Sequence, residues 1–165
     1  MKTIKAQPLS VEAFAPYGTY VDTLHPKGFS IGGEFSQFYP DFARMTTKPG
    51  EELAFSVSHI KYMDKKVVDN VEYHTHTGEA LLPMDGDMLL HVAPPTNGVP
   101  RPDLTEAFLV PKGTVVILKT AAWHGAPLAA QPGEMNVMIL LPERVYMNDC
   151  IVHQLEEKDQ FIVEG

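Results

Sequence analysis

Apolar residues recur in short blocks separated by turn signals. Leu53 to Ile60, Lys66 to His76, Met88 to Ala93, Thr105 to Leu109, Thr114 to Lys119, Met135 to Leu141 and Cys150 to Leu155 read as strands. Between them stand Asp85-Gly86-Asp87, Pro94-Pro95-Thr96-Asn97-Gly98, Pro111-Lys112-Gly113 and Gln131-Pro132-Gly133-Glu134, each rich in the residues that turns select. One short helix is expected over Ser10 to Phe14, with Ser10 as N-cap and Pro16 and Gly18 ending it. The 14 prolines and 12 glycines are scattered along the whole length and argue against long helices. Many short strands at roughly even spacing predict an all-β sandwich or barrel, in one domain spanning residues 1–165. Pro94 to Pro102 is expected to form a loop that rims a pocket or an interface.

Composition narrows the function classes. Hydrophobic residues make up 44% of the chain, enough for a real core. The 13 basic and 21 acidic residues leave a net charge of −8, with no Lys/Arg-rich run, so nucleic acid and anionic membranes are not expected partners. Cys150 is the only cysteine, so no internal disulfide can form. Neither a signal-peptide core near the N-terminus nor an apolar run of membrane-spanning length is visible, and a cytoplasmic location is the expectation.

Chemistry concentrates in Tyr73-His74-Thr75-His76-Thr77-Gly78-Glu79 and in Trp123-His124. On a strand, residues two apart share a face, so His74 and His76 are expected to point the same way. With Glu79 three residues on and His124 on a later segment, three imidazoles and a carboxylate would make a good set of ligands for one divalent transition metal. Glu72 shares strand parity with His74 and His76 and is the alternative carboxylate. Lys119, at the end of an apolar strand, is a candidate to neutralise a substrate carboxylate. His91, inside the apolar strand Met88 to Ala93, is either a catalytic acid or base or a hydrogen-bonded core histidine. Trp123 is a candidate wall of the substrate pocket.

The order His74-x-His76, Glu79, Gly86, Pro111-x-Gly113 and a late His124 resembles the two motifs of the cupin superfamily. There these residues bind one metal inside a small double-stranded β-helix, a jelly-roll barrel. Two residues separate His76 from Glu79, where that pattern has three or four, and Val68 stands where it has a glycine.

A longer set is similar to the ureidoglycolate lyase family (also called ureidoglycolate hydrolase) of allantoin catabolism. It comprises Leu9 to Gly18, Glu79 to Gly86 followed by His91 to Pro95, Pro102-Asp103-Leu104 to Leu109, Trp123-His124, and Asn148-Asp149-Cys150. That resemblance implies cleavage of ureidoglycolate to glyoxylate and urea. The departures are chemical: Glu79 stands where the family has Gln, His76 where it has an apolar residue, and His124-Gly125 where it has two histidines. The expected protein is therefore a cupin-type lyase, homodimeric, acting on ureidoglycolate or a related small 2-hydroxy acid. It would hold one divalent ion (Zn, Mn, Ni or Fe) on His74, His76, Glu79 and His124. Its rivals are a sugar or sugar-acid isomerase or an oxygenase on the same scaffold, and a non-enzymatic ligand-binding module.

Overall fold

A computed structural model describes all 165 residues. The chain opens with β1 (Lys2–Lys5) and β2 (Gln7–Pro8), then passes through α1 (Val11–Phe14) into β3 (Gly18–Asp22). A hairpin of β4 (Ile31–Gly33) and β5 (Ser36–Phe38) precedes the long strand β6 (Leu53–Lys61). Next come β7 (Val67–Val68), β8 (Asn70–Tyr73), β9 (Glu79–Pro83), β10 (Met88–Ala93), β11 (Glu106–Val110), β12 (Thr114–Leu118), β13 (Trp123–His124) and β14 (Leu128–Ala129). The chain closes with β15 (Glu134–Pro142), α2 (Val145–Asn148), β16 (Ile151–Gln154) and β17 (Phe161–Glu164).

These strands form three layers. One sheet runs β16-β8-β13-β10-β11-β2, with β14 also on β10; a second runs β3-β12-β9-β15-β6; a third, smaller one runs β1-β17-β7. The two large sheets face each other as a cupin-type double-stranded β-helix. Between them lie Leu81, Leu90, Val92, Phe108, Val116, Leu118 and Val137, with Phe14 of α1. A second core of Leu89, Ala93, Trp123, Val71, Phe161 and Val163 fills the gap between the first sheet and the small one. Strand β10 is therefore covered on both faces, which is why its sequence reads as an apolar run interrupted only by His91. Even-numbered residues Leu90 and Val92 face the barrel interior, while odd-numbered Leu89 and Ala93 face the second core.

The predicted strands are present with ends shifted by a residue or so, apart from Lys66 to His76. That segment divides into β7 and β8 and ends at Tyr73. Nine strands outside the predicted set also form: β1, β2, β3, β4, β5, β9, β13, β14 and β17, together with helix α2. Helix α1 starts as expected, with Ser10 Oγ accepting from the Ala13 N–H at 3.1 Å. In the Pro111-Lys112-Gly113 turn, the Thr114 N–H donates to the Pro111 carbonyl at 3.0 Å and Gly113 sits at φ +78°. An L-residue there meets the cost of the left-handed region, and its Cβ would fall 2.4 Å from Leu24 Cγ. Gly113→Ala is accordingly expected to lower stability by about 1–2 kcal/mol, read as a shift of the urea midpoint at constant m-value.

Candidate metal centre

Three side chains meet inside the barrel. His74 follows the last residue of β8, Glu79 opens β9 and His124 closes β13. Their donor atoms lie within 4.8 Å of one another. Register explains the meeting: His124 pairs with Val92 and with Glu72, and Glu79 pairs with Leu118. Opposed residues share a face, so all of these point into the interior. His74, Glu79 and His124 are 4%, 6% and 2% exposed, a closed setting for three ionisable groups.

Hydrogen bonds set the tautomers. The His74 Nδ1–H donates to the Asp149 carbonyl at 2.7 Å, and the His124 Nδ1–H donates to the Ala122 carbonyl at 2.9 Å. A carbonyl only accepts, so Nδ1 carries hydrogen in both rings and the neutral ring's lone pair is on Nε2. Both Nε2 atoms then face one oxygen, Glu79 Oε2, at 3.0 Å from His74 and 2.9 Å from His124. Three converging acceptors repel unless a positive charge sits among them. Either an imidazole is protonated on Nε2 or a cation binds there, and two imidazole nitrogens with one carboxylate oxygen suit a divalent transition metal. Burial pushes Glu79 up, but His124 and His74 outweigh it and hold the carboxyl down at about 2. Burial pushes His124 down, and the Glu79 charge outweighs that and raises it.

Glu72 borders this cluster. Its Oε1 lies 4.0 Å from His124 Nε2, and its side chain, unlike the three others, is 29% exposed. The Cys150 thiol donates to Glu72 Oε2 at 2.9 Å; burial and the Glu72 charge push that thiol up to about 12, so it stays protonated as a donor.

His76 stands apart. Asp149 accepts from the Thr75 and His76 N–H groups at 2.8 and 2.9 Å and curls the backbone out of strand geometry, so the two-residue parity no longer holds. Burial pushes Asp149 up, but the donors from Thr75 and His76 hold its carboxyl below the usual range. The His76 ring is half exposed, 3.3 Å from Asp149, and borders a polar depression of about 360 Å³ with Lys48, Glu51, Glu52 and Glu143. His91 projects from the opposite face of β10 to the cluster. It is buried edge-on to Phe161, its Nδ1 has no partner, and burial lowers it to about 3. Trp123 neighbours His124 and so faces the other way, into the second core, where its Nε1–H donates to Thr96 Oγ1 at 2.8 Å. Thus the Pro94–Pro102 loop touches the Trp123 and His91 side, and Pro100, Arg101 and Pro102 line a small cavity there. Lys119 is exposed and its ammonium donates to the Ala15 carbonyl. Spacing alone could not have found the orienting carbonyls of Asp149 and Ala122, nor the thiol on Glu72.

The fold and this buried His–Glu–His set define a cupin-type barrel protein able to hold a metal in its interior. A family model described as ureidoglycolate lyase matches residues 1–164. A ureidoglycolate lyase of Pseudomonas aeruginosa is 26% identical over 166 residues, covering 99% of this chain and 97% of the relative. A ureidoglycolate lyase of Rhodobacter capsulatus is 33% identical over 142 residues, covering 84% and 86%. Among solved structures, a dTDP sugar isomerase of Desulfovibrio desulfuricans superposes with a TM-score of 0.54 at 10% identity, over 87% of this chain and 89% of that one, a likeness of fold. The chain belongs to the ureidoglycolate lyase family and is an enzyme.

Proposed function

We propose that this protein, as one domain over residues 1–165 and as a cytoplasmic homodimer, cleaves ureidoglycolate to glyoxylate and urea with the help of one divalent ion held by His74, Glu79 and His124. The convergence of those three donors inside the barrel carries the reading, together with the full-length family match. When bound, the ion supplies a positive charge that attracts the oxygens of an α-hydroxy acid and makes its hydroxyl more acidic. Everything else falls to the chain.

Glu72 is the proton carrier in this reading. It is the carboxylate beside the cluster that keeps contact with solvent, and Cys150 fixes one of its oxygens, leaving Oε1 toward His124. Its carboxylate takes the hydroxyl proton of the substrate. The O–H electron pair forms the carbonyl, the C–N bond breaks, and its electrons leave with the ureido nitrogen. The same carboxyl returns the proton to that nitrogen, so urea departs neutral and no net proton is consumed. His74 and His124 keep their Nδ1 protons on backbone carbonyls throughout and hold their rings in place.

Glu72→Gln keeps the size and the thiol contact and removes the base. The expected outcome is a fall in kcat of about 100-fold with KM little changed, measured as glyoxylate and urea released in equal amounts. A variant with wild-type kcat would remove Glu72 from the chemistry.

A further inference from the structure

The chain has three arginines, and two of them are paired, Arg101 with Asp103 and Arg144 with Glu143. Arg44, between β5 and β6, has no carboxylate within ion-pair reach. It lines a depression of about 370 Å³ with Lys119, Thr19, Thr46 and Thr120, and no Asp or Glu lines it. In a chain of net charge −8 such a surface is the exception. The three threonine hydroxyls make no hydrogen bond within the protein. The Lys119 ammonium uses one of its three donors, on the Ala15 carbonyl. Two cations and three free hydroxyls therefore line the depression with no anion to meet them. Ile117 pairs with Thr19 and with Ala80, which places the depression on the outer face of the β3-β12-β9 sheet. Leu118 and Glu79, also paired, turn inward, so the depression is apart from the His74–Glu79–His124 cluster.

We propose that this depression is a second ligand site, which binds a small oxyanion through a carboxylate or phosphate group. The Arg44 guanidinium offers a planar fork that two oxygens of either group fit, the Lys119 ammonium adds a point charge, and the hydroxyls donate the remaining hydrogen bonds. A polyanion such as nucleic acid is the poorer fit, because two cations on a chain of net charge −8 do not offset the wider repulsion. Placement gives the binding a consequence. On one wall, the Thr46 carbonyl accepts from the Gly78 N–H at 2.8 Å and from the Thr77 hydroxyl at 3.2 Å, next to Glu79. On the other, the Lys119 carbonyl accepts from the Ala122 N–H at 3.1 Å across a turn in which Ala121 sits at φ +66°. The Ala122 carbonyl in turn holds the His124 Nδ1–H. An anion that bridges Arg44 and Lys119 ties these two segments together and steadies Glu79 and His124 from outside the barrel.

The site needs neither the interior ion nor turnover, so it stands or falls apart from the lyase reading. Amide NMR of the full, metal-loaded chain tests it, with inorganic phosphate and succinate titrated separately and sodium chloride holding the ionic strength constant. The expected result is saturable shifts at residues 18–20, 44–46 and 117–122, with a Kd of about 1 mM for at least one of the two anions. Arg44→Gln and Lys119→Gln should each weaken that binding by about 10-fold, with far-UV circular dichroism to show that each variant folds. Saturation by one anion alone supports the site and names the group it selects. Hydrogen exchange at Gly78 and Ala122 should slow at saturation; unchanged exchange would overturn the coupling to the cluster. No saturable shift below about 20 mM, shifts that chloride alone reproduces, or binding that neither substitution weakens would overturn the site. Shifts centred on residues 74, 79 and 124 in wild type and variants alike would put the anion on the interior cluster and overturn it as well.

Discussion

Glu79→Ala is expected to lose ureidoglycolate turnover by about 1,000-fold or more, roughly 4 kcal/mol of transition-state stabilisation, and to be purified without its divalent ion. The reason is geometric. Glu79 Oε2 is the atom that both Nε2 atoms approach, at 3.0 and 2.9 Å, and it carries the negative charge of the three-donor set. Alanine leaves two neutral nitrogens, whose donor directions stay set by the Asp149 and Ala122 carbonyls, and only the partly solvated Glu72 carboxylate, 4.0 Å from His124 Nε2, as a nearby anion for a doubly charged ion. Glu79→Gln separates charge from shape: it keeps an oxygen near the rings and should still lose most of the metal. Metal content by mass spectrometry and the release of glyoxylate and urea read both effects on the same sample. Chelation of the wild type should reproduce the loss, and adding back the correct ion should reverse it. Full metal occupancy and near wild-type turnover in Glu79→Ala would sink the metal centre; retained metal with no turnover in the wild type would keep the centre and discard the substrate.

His91 is expected to make the fold acid-labile. Its ordinary value of 6.5 applies to the unfolded chain, while burial, helped by the charge of His124, brings it to about 3 in the fold. Between those values the unfolded state binds a proton that the folded state refuses. Stability from this group is therefore complete above pH 6.5 and declines as pH falls toward 3, a total of about 3–5 kcal/mol. About half of that should disappear between pH 6.5 and 4.5, before most carboxylates protonate. His91→Leu is similar in size, has no proton to gain and leaves no unpartnered Nδ1 beside Phe161. Urea titrations of both proteins from pH 7.5 to 4 should show wild type losing about 2–3 kcal/mol more than the variant between pH 6.5 and 4.5. Glu79 and His124 titrate in both proteins and cancel in the comparison. Parallel curves would show that the His91 ring is solvated or paired in solution.

Both predictions turn on a distinction that local sequence carries only in part. Adjacent strand residues face opposite ways, so His124 and Trp123 could never serve the same cavity, and neither could Val92 and His91. Parity alone says that much, but not which member of each pair faces the barrel. That depended on the β8-β13-β10 register and on the small sheet of β1, β17 and β7 covering the other side of β10. Two of those three strands lie at the chain ends and were not legible in the hydrophobic pattern. His74 and His76 failed in the opposite sense. Their spacing implies a shared face only while the backbone stays extended, and Asp149, more than 70 residues away, bends it.

By itself, the sequence determined the class of the fold, most strand positions, the N-cap at Ser10, the Gly113 turn, the family, and three of the residues that gather in the barrel. These follow from side-chain period, turn chemistry and an ordered set of motifs, all of which are local properties. Tertiary structure alone decided which histidines meet Glu79, the Nδ1 tautomers that aim their lone pairs, the solvent-facing position of Glu72 under Cys150, and the placement of His76, His91, Lys119 and Trp123 away from the His74–Glu79–His124 cluster. Those outcomes depend on register and on contacts between residues far apart in the chain, whose energies no local pattern contains.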